Sequence, residues 1–343
     1  MSFFYLFRSY KMMKKSLIAL AIAAAAPAAF AATSNVDVYG AVRVSVSNTD
    51  NGAGYLVSDE TSRIGIKGSE DLGGGLSAIW QWETQIAVDG TAGTANVNGT
   101  APVAGVGGIS TQRNTFVGVK GAFGTVLAGT HDTPYKLAGS ADLFGDTRAD
   151  SQKNSSGIIG RNNLDGRAHN AVAYITPDVA GFHAAVAAVA SETSSMGATS
   201  ATSFALVYAN GPLKVTYGHE QFADSASAGG TTGQEGDKLN VSYKLGDTTL
   251  GATYEKSKAA TTTTEDKAYL VSVAHAMGPI TLAAQYGSFD DADAVNTDVK
   301  RTTVGVIYNL SKRTNAMVGY STDSFDGTGV DTKTALLQLN HSF

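Results

Sequence analysis

The sequence predicts an all-β protein, a 16-stranded antiparallel β-barrel that crosses a membrane with its strands. Three observations predict it. Apolar and polar residues alternate with period two along many segments; the connections between those segments alternate between short and long; and an export leader is followed by no stretch apolar enough for a membrane-spanning helix.

The chain begins with Lys14-Lys15 ahead of an apolar stretch, 16–26, which ends in the small-residue signal Ala29-Phe30-Ala31. That order of charge, apolar core and small residues marks a secretory leader, and the core is too short to span a bilayer. Residues 1–31 are therefore read as a signal peptide, with Met12 or Met13 as the more natural start and cleavage after Ala31. Its removal takes away Arg8, Lys11, Lys14 and Lys15 but no acid, leaving 21 basic against 30 acidic groups, or −9. A balance of that sign speaks against nucleic acid as a partner. There is no cysteine, so neither disulfides nor thiolate metal sites enter the fold.

The alternation begins at the first strand, where Val36, Val38, Val42, Val44 and Val46 interleave with Asp37, Tyr39, Ala41, Arg43 and Ser45. It recurs with Leu239, Val241 and Tyr243 against Lys238, Asn240 and Ser242, and with Leu250, Ala252 and Tyr254 against Thr249, Thr253 and Glu255. Near the C-terminus Val304, Val306 and Tyr308 oppose Thr303, Gly305 and Asn309, and Val318 and Tyr320 oppose Met317 and Ser321. One apolar and one polar face suit a sheet between lipid and water, and equally a soluble sandwich.

The connections separate those two architectures. Short turns are expected at 69–75, 121–124, 176–181, 210–212, 246–248, 278–279 and 311–313. Long polar connections are expected at 48–60, 88–110, 132–166, 192–201, 223–235, 258–266, 290–298 and 324–331. Short turns on one side and long loops on the other, over an even number of strands, describe an outer-membrane barrel, and 16 strands leave an aqueous lumen. Residues 32–343 form one such unit, since no linker or change of pattern divides them. Tyr174, Tyr208, Tyr243 and Tyr308 each precede a short turn with apolar parity, as an aromatic girdle at one lipid interface requires. The last strand, with Leu337, Leu339, His341 and Phe343 on one face, is expected to pair with the first and remove the sheet edges.

An enzyme is disfavoured, since the six histidines are dispersed and neither a Gly-x-Ser-x-Gly elbow nor a His-Glu-x-x-His pair occurs. No cofactor or metal site is expected. An adhesin or structural anchor remains as an alternative class, although an anchoring barrel needs far fewer strands.

The residues resemble the general porins of Gram-negative bacteria, of the neisserial and β-proteobacterial type. The resemblance is carried by Val38-Tyr39-Gly40, by Ser62-Arg63-Ile64-Gly65-Ile66-Lys67-Gly68-Ser69-Glu70-Asp71-Leu72-Gly73 and by Ala78-Ile79-Trp80-Gln81. It continues through Arg113 with Phe116-Val117-Gly118, Phe123-Gly124-Thr125-Val126, Tyr174-Ile175-Thr176-Pro177 and the terminal His341-Ser342-Phe343. It implies an outer-membrane, water-filled channel for passive diffusion of ions and small hydrophilic solutes. It further implies a homotrimer set in outer-membrane lipid and lipopolysaccharide, delivered by the barrel-assembly machinery, for which Phe343 is the terminal residue. The third external loop, 132–166, is then expected to fold inward as a constriction, with Asp142, Asp146 and Asp150 facing a basic wall of Arg43, Arg63, Arg113 and Arg167. Arg113 shares parity with outward-looking Val117, so its place in the wall requires a β-bulge between the two. The sequence departs from the family at Thr130-His131-Asp132, where relatives often carry a basic residue.

Overall fold

The structure, a computed structural model, describes residues 34–50, 54–89, 109–153, 157–190, 199–222, 233–259, 264–292, 298–326 and 330–343. The expected leader at 1–31 and its cleavage point lie outside them.

The chain is laid out as β1 (Ser34–Thr49), β2 (Tyr55–Asp59), β3 (Arg63–Gly73), β4 (Leu76–Ile86), β5 (Ile109–Gln112), β6 (Thr115–Gly121) and β7 (Gly124–Asp132). A short helix, α1 (Pro134–Leu137), follows, and then β8 (Arg167–Ile175), β9 (Phe182–Ala190), β10 (Thr199–Asn210), β11 (Leu213–Phe222) and β12 (Glu235–Leu245). The remainder is β13 (Thr248–Lys258), β14 (Asp266–Met277), β15 (Ile280–Asp290), β16 (Val299–Asn309), β17 (Thr314–Phe325) and β18 (Thr332–Ser342).

These segments make one closed antiparallel barrel of 16 strands. Two barrel strands are interrupted: β2 and β3 both pair with β1, and β5 and β6 both pair with β4. The expected turns at 121–124, 176–181, 210–212, 246–248, 278–279 and 311–313 separate the strands as read from sequence. Two boundaries differ. The expected turn at 69–75 is mostly strand, since β3 continues to Gly73 and only Gly74 and Gly75 turn, with Gly73, Gly74 and Gly75 all at positive φ. The first long connection is shorter than expected because β2 pairs with the end of β1, from Val44↔Asp59 to Asn48↔Tyr55.

Polarity is inverted relative to a water-soluble sheet. Val36, Val38, Val304, Val318 and Leu339 are exposed, whereas Ser45, Lys238, Glu255, Thr303 and Gln338, on the opposite face of their strands, are buried. That arrangement fits lipid outside and polar groups inside.

Closure runs from Ala41↔Ser342 to Thr49↔Thr334, and Gly40 and Phe343 exchange both backbone hydrogen bonds at 3.1 Å. Gly40 leaves space for the last side chain: a Cβ there would lie 2.4 Å from Phe343 Cζ and 2.6 Å from the Arg63 carbonyl oxygen.

The largest buried apolar cluster involves the 133–166 segment. Thr133 caps α1, its hydroxyl accepting from Lys136 N at 3.3 Å, and Pro134 supplies a preset φ at the first turn. Beyond the helix, Phe144 and Ala149 pack with Met317 and Leu336, and Ile158 and Ile159 pack with Leu270 and Phe289. Backbone groups of the segment bond to inward side chains around the wall: Tyr135 N to Ser203 Oγ at 2.9 Å, Ala141 N to Thr253 Oγ1 at 2.7 Å and Leu143 N to Gln285 Oε1 at 2.8 Å. Gln338 Nε2 donates to the Asp146 carbonyl oxygen at 3.0 Å, and Arg301 Nη1 to that of Asp150 at 2.5 Å.

Candidate functional site

Four arginines stand on successive parts of the inner wall, each set there by strand register. Ala41 of β1 pairs with Arg63 of β3, which fixes Arg43 and Arg63 on the same face. Arg113 reaches that face through the bulge its sequence requires. β4 residues 84 and 85 pair with 112 and 111, but Gln81 pairs with Phe116, so one extra residue is inserted between β5 and β6. Arg113 thereby lies beside Glu83, while Val117, four residues on, is exposed to the outside. Arg167 opens β8 opposite Asp132, the last residue of β7.

The partners differ from the simple opposition expected. Asp146 meets two of the arginines: its Oδ2 accepts from Arg43 Nη1 and lies 3.7 Å from Arg63 Nη1. Arg113 Nε instead donates to Glu83 Oε1 at 2.5 Å, and Glu83 Oε2 accepts from Tyr39 Oη at 2.9 Å. Arg167 Nη2 pairs with Asp132 Oδ1 at 3.0 Å, and its Nε donates to Asn114 Oδ1 at 2.9 Å. Asp132 thus neutralises one arginine of the arc.

Asp142 and Asp150 turn into their own segment. Asp142 Oδ2 accepts from Ser151 N at 3.0 Å, and its Oδ1 accepts from Gln285 Nε2 at 2.8 Å. Asp150 takes the backbone N–H groups of Asp146 at 2.9 Å and Gln152 at 2.8 Å. The two carboxyls behave oppositely. Burial, then the Asp142 charge and a hydrogen bond to Asp142, push Asp150 up to about 9, so it carries a proton at neutral pH. Burial acts to raise Asp146 too, but Arg43, the Thr61 hydroxyl and Arg63 outweigh it and hold its carboxyl below the ordinary range.

A second charged group seats the base of the same segment. Lys238 Nζ bonds Asp165 Oδ1, lies 4.2 Å from the centre of the Tyr135 ring, and is wholly buried. Tyr135 Oη donates to Glu255 Oε2 at 2.7 Å, and Gly160 N donates to Glu255 Oε1 at 2.9 Å. Burial, with Glu255 and Asp165 beside it, pushes the Tyr135 phenol well above its usual range and keeps it a donor. Sequence reasoning put Lys238 and Glu255 on the inward face but gave them no partner. Arg301, held by Asp323 Oδ1 at 2.6 Å, was missed altogether, although extending the Thr303 and Gly305 alternation back by two residues reaches it.

Of the expected girdle, Tyr243 and Tyr308 are exposed, while Tyr174 and Tyr208 are half-buried. Tyr174 Oη donates to the Phe123 carbonyl at 2.6 Å, and the Tyr208 ring lies 4.3 Å from that of Phe182.

An antiparallel barrel closed by its terminal strands, apolar outside and lined with charges inside, defines a membrane-spanning pore protein. Comparison with known proteins identifies which kind. The chain belongs to the Gram-negative porin family, whose model matches residues 18–328. Outer membrane porin protein 32 of Delftia acidovorans is 31% identical over 322 residues, which is 88% of this chain and 87% of that one. The major outer membrane protein P.IB of Neisseria meningitidis serogroup B is 30% identical over 334 residues, 89% of this chain and 92% of that one. Among solved structures, an anion-selective porin from Comamonas acidovorans superposes with a TM-score of 0.72 at 21% identity, covering 90% of this chain and all of that one. The protein is an outer-membrane porin, a channel and not an enzyme.

Proposed function

We propose that the path for ions and small hydrophilic solutes narrows where the 133–166 segment reaches into the lumen, and that a transverse field acts there. Arg43 and Arg63 supply its positive side and Asp146 on the segment the facing charge, while Arg113 and Arg167 extend the wall as ion pairs with Glu83 and Asp132. The carrying observation is the Asp146 carboxylate placed against Arg43 and Arg63, whose strands are far from it in sequence. Asp142 and Asp150 then shape the segment and contribute little to the field, because their oxygens are occupied within it and by Gln285. One pair of unit charges about 10 Å apart in water interacts by only about 0.4 kcal/mol, so selectivity needs the whole arc acting in a confined volume.

The working assembly in this reading is a homotrimer in outer-membrane lipid and lipopolysaccharide, inserted by the barrel-assembly machinery, with Phe343 serving closure and assembly. A solved neighbour, OmpT of Vibrio cholerae, is described as a trimer form at 16% identity and a TM-score of 0.66. Tyr174, Tyr208, Tyr243 and Tyr308 mark the interface at the short-turn end, and the exported chain starts near Ala32 after loss of residues 1–31.

The test is reversal potential across a salt gradient in planar lipid. Replacing Arg43 and Arg63 by Ser should shift it toward cations and raise conductance. An unchanged reversal potential in a variant that still folds as a heat-modifiable barrel removes the arc from the conduction path.

A further inference from the structure

The outward face carries a cluster that the pore does not use. On β11 and β12, His219 is the direct cross-strand partner of Asp237, and Glu235 lies two residues before Asp237 on the same face. That face points out of the barrel. Tyr217 and Leu239, which share its parity, are exposed, whereas Glu220 and Lys238 on the other parity are buried. The cluster sits at the long-connection end of both strands, beside the 223–234 connection.

Ligand atoms of His219, Glu235 and Asp237 lie within 4.8 Å of one another. His219 Nδ1 and Asp237 Oδ1 are 3.0 Å apart. Two atoms that each stand about 2.1 Å from one ion are about 3.0 Å apart at the right angle of a tetragonal site and about 3.4 Å apart at the tetrahedral angle of zinc. Tyr217 Oη donates to the same Asp237 oxygen and fixes the carboxylate on the sheet. Lys256 pairs with Asp237 in register from β13, but its Nζ is directed to Glu265 Oε2 at 3.5 Å. Asp237 thus has the His219 imidazole and the Tyr217 hydroxyl as its near partners, and among the described residues neither Asp237 nor Glu235 makes a Lys or Arg ion pair, although Lys258 stands opposite Glu235 in register. Strands hold all three side chains, so little ordering remains to be done when an ion arrives.

We propose that His219, Glu235 and Asp237 bind a divalent first-row transition ion such as zinc or copper(II), with the remaining coordination positions open to water. One imidazole nitrogen and two carboxylate oxygens suit such ions, whereas magnesium and calcium prefer all-oxygen sets. The ion replaces the direct contact between His219 Nδ1 and Asp237 Oδ1, with any proton on Nδ1 released to water, and ties β11 to β12 where pairing ends.

The pattern was illegible in sequence because the ligands come from two strands, and only register brings residue 219 opposite 237. The test is calorimetric titration of the folded protein in detergent micelles with zinc alone. We expect one saturable zinc per chain, with affinity at least tenfold weaker in His219→Ala and in Asp237→Asn. Copper(II) on the wild type should show nitrogen hyperfine coupling that is lost in His219→Ala. Asp237→Asn keeps the side-chain volume and carries the test alone if His219→Ala fails to fold. Absence of saturable zinc binding to the wild type, or equal affinity in the folded variants, overturns the site.

Discussion

The tip and the base of the 133–166 segment hold the same chemistry in opposite settings. At the tip, Asp146 meets Arg43 and Arg63 with its side chain 38% exposed; at the base, Lys238 and Asp165 are 0% and 2% exposed. A charge pair in contact with water leaves part of its field outside itself and holds little structure. A sealed pair gives nothing to a passing solute, but removing one partner strands the other away from water. The comparison teaches that carboxylate–cation pairing alone does not mark a conduction site. Under the constriction proposed above, exposure is what separates a filter from an anchor.

That contrast is broken most directly at the base. Lys238→Met leaves Asp165 and Glu255 buried without their cation, and should destabilise the barrel by about 3–5 kcal/mol. The loss would be read as a lower melting temperature of the heat-modifiable form in detergent. A variant that melts with the wild type would show that the base is not an anchor. Tyr135→Phe is milder, removing one hydrogen bond to Glu255 while Gly160 N continues to donate, and should lower stability by about 1.5–3 kcal/mol in the same assay.

A pH series probes the two acids that behave oppositely. Asp150 is raised to about 9, so relative to an ordinary carboxyl near about 4 its contribution is fully present below that lower value and is lost as pH rises through the upper one. Asp146 is depressed, so its contribution is present above about 4 and lost as pH falls through its lowered value. Between pH 5 and 9 stability should therefore decline with rising pH, by at most about 1.4 kcal/mol per pH unit. Asp150→Asn should flatten that decline. The same slope in the variant would assign it to another group.

How far the sequence could be read follows from the range of the forces involved. Strand alternation and Gly-rich turns are local, so the barrel, its short turns and the inward parity of Arg43 were legible, whereas Arg63 came to the wall through the family resemblance of its motif. Arg113 was legible only as a contradiction with Val117, which the inserted residue between β5 and β6 resolves. Which acid meets which base was not legible, since Asp146 with Arg43 and Asp165 with Lys238 are contacts 103 and 73 residues apart. The family expectation treated Asp142, Asp146 and Asp150 alike. Backbone N–H groups from 146, 151 and 152 claim the outer two, and hydrogen bonding inside an irregular segment has no periodic signature.

The smallest expected change in stability is also the one that sharpens the comparison most. Asp146→Asn removes a part-exposed charge, keeps the shape, and leaves the Gln338 bond to the Asp146 backbone in place, so melting should move by about 1 kcal/mol or less. Its effect on conduction is electrostatic. A solute ion about 10 Å from the lost charge in water-like dielectric feels about 0.4 kcal/mol less attraction or repulsion, which for one ion is about a twofold change in permeability. Reversal potential should shift toward anions, opposite to the shift from losing Arg43 and Arg63, while Lys238→Met channels that survive keep the wild-type value. If Asp146→Asn instead melts early with unchanged selectivity, tip and base have the same structural role, and the field must arise elsewhere on the wall.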